Sequence, residues 1–237
     1  MKLLKNIEAI DLALYIDKSL VIADVHIGFE EALNKQGVLV PRFQFPDLVK
    51  RMKLIFDKLK NKKIERIIIN GDLKHEFGTI SEQEWRHTLK FLDFLEDYCE
   101  NILLVKGNHD TILGPIAKKR NVKLADCVEL REVLVCHGDK IPEGIKKYRT
   151  IIIGHEHPAV SIRDNMRVET YKCYLVGKYK GKNLIVQPSF NLVAEGADIL
   201  KEGLLSPFLH GNIDDFDVYA VEDKIYELGK AGSLKSK

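Results

Sequence analysis

The stretch Asn101-Ile-Leu-Leu-Val-Lys-Gly-Asn-His-Asp110 decides the reading of this chain. Its apolar run is too short for a helix and reads as a strand buried on both faces. A glycine, an amide, an imidazole and a carboxylate follow at once. The same change from apolar run to polar cluster occurs four more times. Residues 20–23 run into Asp24-Val25-His26, and residues 66–69 into Asn70-Gly71-Asp72-Leu73-Lys74-His75. Residues 133–136 run into His137-Gly138-Asp139, and residues 150–153 into Gly154-His155-Glu156-His157. Five predicted strands therefore carry metal-competent groups at the same end. In open α/β sheets that carboxyl edge is where sites form.

Working outward, Leu48, Met52, Ile55, Phe56 and Leu59 recur at helical spacing. Ser81-Glu-Gln-Glu84 is a capping box, and Trp85, Leu89, Leu92 and Leu95 continue one helical face. Asp17-Lys18-Ser19 reads as a hairpin turn between residues 12–16 and 20–23. The last third is mostly strand: 171–179 and 183–187 flank a turn at Lys180-Gly181-Lys182, and 216–221 and 224–228 flank Glu222-Asp223. An alternating αβ part followed by a β-rich part predicts an α/β fold, a four-layer α/β/β/α sandwich of two mixed sheets flanked by helices. With no Pro/Gly linker in view, residues 1–228 are expected to form a single domain, with 229–237 a fraying tail.

The 237 residues are 45% hydrophobic and 30% charged, as in ordinary globular protein, and suffice for a sizeable core. A formal net charge of +2 sets up no strong field and neither argues for nor excludes nucleic acid. Lys58, Lys60, Lys62 and Lys63, then Lys118, Lys119 and Arg120, then Lys146 and Lys147 form local basic stretches. They read as solvated faces near helix ends, and any grip on a nucleic acid would have to come from them. Cys99, Cys127, Cys136 and Cys173 have no C-x-x-C spacing and read as buried free thiols of a reducing compartment. No apolar signal core and no membrane-length apolar run is present, so a cytoplasmic protein without a membrane partner is expected.

Six of the eight histidines lie in the five polar clusters. Imidazole, carboxylate and amide oxygen without thiolate suit a pair of divalent ions, Mn first, with Fe, Ni or Zn as alternatives. The alternation in Asp24-x-His26 and His155-x-His157 predicts extended backbone there. Glycines 71, 107, 138 and 154 let the chain approach the ions. Any one of these residues alone would be read as a structural hydrogen-bonding group; together they point to a site. Glu156 is expected to face away, His87 and His210 to be ordinary surface or core residues, and Cys136 to pack in the core. Asp139 could support His137 or stabilise its turn.

The ordered set D-x-H, G-D, G-N-H-D, H-G and G-H-x-H, spanning residues 24 to 157, resembles the calcineurin-like metallophosphoesterases. The resemblance implies that Asp24, His26 and His157 hold one metal, that Asn108, His137 and His155 hold a second, and that Asp72 bridges them. It implies a bridging hydroxide attacking phosphorus in line with the leaving oxygen. His109 would contact the phosphoryl group or protonate the leaving group, with Asp110 orienting its ring. His75, in Gly71-Asp72-Leu73-Lys74-His75, either contacts the substrate or orients a neighbour. That G-D-x-x-H spacing resembles the SbcD-type repair nucleases. With Gly154-His-Glu-His-Pro-Ala159 and Gln187-Pro-Ser-Phe-Asn191, it is most similar to the short SbcD-related archaeal and the DNA ligase-associated phosphoesterases. The extra region that grips DNA in the full nuclease is not expected in these 237 residues.

The expected activity is hydrolysis of a phosphodiester, with DNA or RNA as candidate polymers. A phosphomonoesterase or a small-nucleotide phosphodiesterase (cyclic or dinucleotide) is the alternative, and a non-catalytic scaffold of the same fold a third reading. Lys74 and Lys106, the cations within the motif segments, are expected to be able to point outward, which favours a singly charged diester. The sequence leaves a homodimer open.

Overall fold

The structure, a computed structural model, describes residues 1–76, 81–110, 113–164 and 167–235. Strands β1 (Lys2–Leu4), β2 (Ile7–Ile10) and β3 (Ala13–Ile16) form an antiparallel meander that leads into β4 (Ser19–Ala23). The turn between β3 and β4 has positive φ at Asp17 and Lys18, as a tight two-residue hairpin turn requires. From β4 the pairing becomes parallel, through β5 (Arg66–Asn70), β6 (Ile102–Val105) and β7 (Lys123–Ala125). Parallel neighbours need crossovers. These contain α1 (Phe29–Lys35) and α2 (Gln44–Lys58), then α3 (Glu82–Glu96), then α4 (Gly114–Lys119). The strands of this sheet lie side by side in chain order.

A second mixed sheet holds β8 (Cys127–Leu130), β9 (Val133–Cys136), β10 (Thr150–Ile153), β11 (Pro158–Asp164), β12 (Arg167–Tyr179), β13 (Lys182–Val186), β14 (Ala197–Asp198), β15 (Asp217–Val221) and β16 (Ile225–Lys230). Its order is β14-β11-β12-β13-β10-β9-β8, with β15 joining β12 to β16. β9, β10 and β13 run parallel.

One continuous core links the two sheets and the helices. It contains Leu48, Met52 and Ile55 of α2, Leu89, Leu92 and Leu95 of α3, Ile68 of the first sheet, and Ile152, Tyr174 and Ile185 of the second. Each fully buried side chain of this kind contributes about 1.5–3 kcal/mol. The Tyr174 hydroxyl donates across the sheets to the carbonyls of Asp11 (2.8 Å) and Ala13 (3.1 Å). The outer face of the second sheet buries Ile151, Ile153, Leu175 and Val186 under Phe208, Leu209, Ile213 and Phe216.

The expected two mixed sheets are present, but helices flank them unevenly. The outer cover of the second sheet is mainly the chain between β14 and β15 plus the short α5 (Ala231–Leu234). Gly203, Pro207 and Gly211 interrupt that segment and disfavour a helix. Residues 229–235, placed in the expected tail, lie in or beside named elements. Gly229 and Lys230 lie in β16, Ala231 is buried with its N–H donated to the Phe216 carbonyl (2.9 Å), and Lys235 pairs with Asp214 (2.6 Å). Ser236 and Lys237 of that expected tail lie outside the described residues.

Candidate metal centre

Parallel register aligns the strand ends. Ala23 is opposite Asn70, and Asn70 opposite Val105; in the second sheet Ile153 is opposite Val186. The polar clusters that follow therefore meet at one edge of the sandwich. The segment after β13 joins the sheets there. Gln187 Nε2 donates to the Val21 carbonyl (3.2 Å), Phe190 N to Ala23 (2.7 Å), and Ser189 Oγ and Asn191 N to Asp24 (2.8 and 3.1 Å).

The backbone turns sharply at the site. Asp24 (φ 54), His26 (φ 48), His155 (φ 66) and His157 (φ 50) are left-handed, corrected from the extended conformation expected from their i, i+2 alternation, and Asp72 (φ 46) is left-handed as well. Non-glycine residues adopt this region rarely, and such strain concentrates at functional sites. Two glycines make room for it. A Cβ on Gly71 would lie 2.0 Å from His137 Nδ1, and one on Gly107 2.0 Å from Asp72 Oδ1.

Among the described residues, three side-chain groups have ligand atoms within 4.8 Å: Asp24, His26 and His157; Asp24, Asp72 and His137; and His26, His75 and His109. His26 Nε2 lies 3.2 Å from His157 Nε2, and Asp24 Oδ1 3.6 Å from His157 Nε2 and 3.5 Å from His137 Nδ1. Asp72 Oδ2 sits between the sets, 3.6 Å from His26 Nε2 and 3.5 Å from His137 Nε2. Asn108 Oδ1 is 2.9 Å from His137 Nε2. His155 belongs to none of the three groups; its ring lies 4.9 Å from that of His137, and its N–H donates to Asp24 Oδ2 (3.0 Å).

Asp24, His26, Asp72 and His137 form a buried floor, while Asn108, His109, His75, His155 and His157 are partly exposed above it. Burial pushes Asp72 up to about 9, with the charges of Asp24 and Asp110 adding to the rise. Burial opposes ionisation of Asp24 as well, but His157, His137 and His26 outweigh it and hold its carboxyl below the usual range. Burial also lowers His26 far below its ordinary value and takes His75 and His155 to about 4. Burial thus disfavours the protonated form of His26, His75 and His155, leaving their lone pairs beside the buried carboxylates. Asp24 Oδ1 and His137 Nδ1 are buried without a hydrogen-bond partner. Orphaned acceptors of this kind are costly unless something cationic meets them. These residues fit divalent cations.

His109 takes a different support from the one the resemblance implied. Its Nδ1 lies 2.5 Å from the His75 carbonyl, which can only accept, so Nδ1 carries a proton and Nε2 faces Asp72 Oδ2 at 4.0 Å. Asp110 does not hold that ring nitrogen; its Oδ2 accepts from Gly107 N (3.0 Å) and tightens the turn. Lys74, expected to be able to point outward, is fully buried. Its Nζ donates to the carbonyls of Glu76 and His109, fastening together the loops after β5 and β6. Lys106 is exposed and pairs with Asp126 (3.4 Å).

Several contributors were not singled out as site residues by the sequence reading. Glu84 donates its N–H to Ser81 Oγ (3.1 Å), closing the cap, and its carboxylate accepts from His75 N (2.9 Å) and Glu76 N (3.0 Å). The capping-box pattern was the available signal. Gln44 opens α2 and donates to the His26 carbonyl (2.8 Å); nothing in its neighbours' spacing marked it. Glu156 does turn away from the centre, as expected, and accepts from Leu205 N and Ser206 N. His87 stacks on Phe45, and His210 is exposed.

A fold of two mixed sheets with Asp, His and Asn gathered at its strand ends defines a metallophosphoesterase-like architecture. Residues 18–172, well over half of the chain, match the calcineurin-like phosphoesterase family, and the protein belongs to that family. Its fold is shared with a nuclease MPE from Pseudomonas putida, 18% identical over 92% of each chain, with a TM-score of 0.65. A phosphoesterase from E. coli, Yfce, is 13% identical over 90% of this chain and 97% of its own, at a TM-score of 0.40. No curated protein matches the chain in sequence.

Proposed function

We propose that the protein is a divalent-metal-dependent phosphodiesterase, of the subtype represented by the short SbcD-related and ligase-associated enzymes. The observation that carries the reading is the placement of Asp72 Oδ2 between His26 and His137, each about equally distant from it. Asp24, His26, His157 and Asp72 would hold one cation, and Asp72, Asn108, His137 and His155 the other, with Mn the preferred ion. When bound, such cations lower the pKa of water and neutralise charge gathering on phosphoryl oxygens. The remaining work falls to the chain. Asp24 and Asp72 supply the negative charge that retains the cations. Burial lowers His109 below its ordinary value, and in its doubly protonated form it would give the Nε2 proton to the leaving oxygen while Nδ1 stays on the His75 carbonyl. His75 stands beside His26, Nδ1 to Nδ1 at 3.4 Å, and holds this wall of the site.

The choice of a diester over a monoester rests on Lys74 and Lys106, the cationic side chains of the motif segments among the described residues. Lys74 is engaged with backbone carbonyls and Lys106 with Asp126, so neither is offered to a doubly charged phosphoryl group. Long polymers are disfavoured by topology. The three basic stretches precede the starts of β5, β7 and β10, at the edge opposite the site. Several of their charges are paired: Lys58 with Asp11, Lys63 with Glu65, Arg120 with Asp93 and Lys147 with Glu129. Small diesters and nucleic-acid ends are the favoured substrates. The test compares bis-p-nitrophenyl phosphate, p-nitrophenyl phosphate and single-stranded DNA after chelation and reloading with Mn. Faster diester turnover that returns with metal supports the reading. Turnover of the monoester alone under every divalent ion would reject it.

A further inference from the structure

The hairpin that delivers His137 carries two cysteines in a chemically productive position. β8 and β9 are joined by Arg131 and Glu132 alone, and Leu130 pairs with Val133 across that turn. A two-residue turn closes with the i to i+3 hydrogen bond, which makes Leu130 and Val133 a hydrogen-bonded pair. Antiparallel pairs then alternate. Glu129 and Leu134 are non-hydrogen-bonded, Val128 and Val135 hydrogen-bonded, and Cys127 and Cys136 again non-hydrogen-bonded. Residues so opposed have Cα atoms about 4.5 Å apart with side chains on one face, within the range a disulfide spans.

The side chains bear this out. Cys127 packs against the cluster that contains Cys136, directly across the ladder from it. Both sulfurs are free thiols. Cys136 is buried and Cys127 half-buried. A cleft of about 330 Å³ lined by Lys106, Asp126, Cys127, Cys136, His137 and Asp139 gives solvent access to the pair. The other two cysteines are placed differently: Cys173 is fully buried and Cys99 lies at the far end of α3.

We propose that Cys127 and Cys136 form an oxidisable dithiol, a site for reversible disulfide formation by low-molecular-weight disulfides, that fastens β8 to β9 immediately before His137. The Cys127 thiolate attacks one sulfur of the reagent, its proton going to solvent, and a mixed disulfide forms as one reagent thiolate leaves. Cys136 then gives its proton to solvent, its sulfur attacks the Cys127 sulfur, and the second reagent thiolate departs. Each departing thiolate takes up a proton. Two electrons pass from the protein to the reagent, giving one intramolecular disulfide and two reagent thiols. The inference is independent of the phosphodiesterase reading.

The test treats the full-length protein with oxidised glutathione, then unfolds it in acid with a thiol-blocking reagent. Of the four cysteines, two should be lost to titration, the mass should fall by two hydrogens, and peptide mapping should join Cys127 to Cys136. Dithiothreitol should restore all four. In Cys127→Ser and, separately, Cys136→Ala, no intramolecular disulfide should form. Retention of four thiols in the wild type would overturn the proposal. So would a stable mixed disulfide at Cys127 that Cys136 does not resolve, or a bridge involving Cys99 or Cys173. The wild-type mapping stands even if a variant fails to fold.

Discussion

Replacing Lys172 by methionine should stabilise the protein at neutral pH. Lys172 lies opposite Ala159 where β12 leaves β15 for β11, on the same inward face as Tyr174. Its Nζ is buried without a hydrogen-bond partner. Burial, assisted by the nearby charge of Arg51, lowers the ammonium from 10.5 to about 8, against the opposing pull of Asp24 and Glu195. At about 1.4 kcal/mol per pH unit, that fall is a destabilisation of about 3 kcal/mol whenever both folded and unfolded chains carry the proton. The sign follows from the folded value being the lower one. Below pH 8 the cost is fully present. Between 8 and 10.5 the folded state sheds its proton first, so wild-type stability rises with pH, and above 10.5 the cost is gone. Methionine keeps most of the stem's packing and removes the charge. Denaturant unfolding of chelator-treated protein should therefore show Lys172→Met more stable by about 3 kcal/mol at pH 7, or about 6–12 °C in Tm. The advantage should shrink through pH 8–10.5. A variant that is less stable at pH 7, or whose advantage ignores pH, would refute the reasoning.

Gly107→Ala places a methyl 2.0 Å from Asp72 Oδ1; it should displace that carboxylate and weaken Mn binding by about 10–100-fold, read by calorimetry, whereas unchanged affinity would contradict the packing argument. His109→Ala should keep its metal content and lower kcat by about 10²–10⁴-fold; loss of metal instead would show that the residue is a ligand.

The apolar runs at β4, β5, β6, β9 and β10 were legible because each is buried on both faces and ends in a polar cluster. α2 and α3 were legible from their periodicity. β1, β2, β7 and β14 were not, being short and without a decisive pattern. β11 opens on Pro158 and ends in Arg163-Asp164, so composition hid it. At the site, residue types were readable but conformations were not. Left-handed backbone at Asp24, His26 and His157 arises from contacts made across both sheets, which no local pattern encodes. Lys74 and Gln44 act on backbone carbonyls, and such a role leaves no spacing signature. The placement of the basic stretches at the opposite edge became visible only once strand direction was fixed.

The central claim is that one carboxylate, Asp72, serves two cations. It is tested most directly by metal analysis of chelated protein reloaded with excess Mn, wild type beside Asp72→Asn. Two ions per wild-type chain and a weakening of both sites in the variant are expected. At most one ion bound by the wild type, or a variant that loses one ion and holds the other at undiminished affinity, would contradict it.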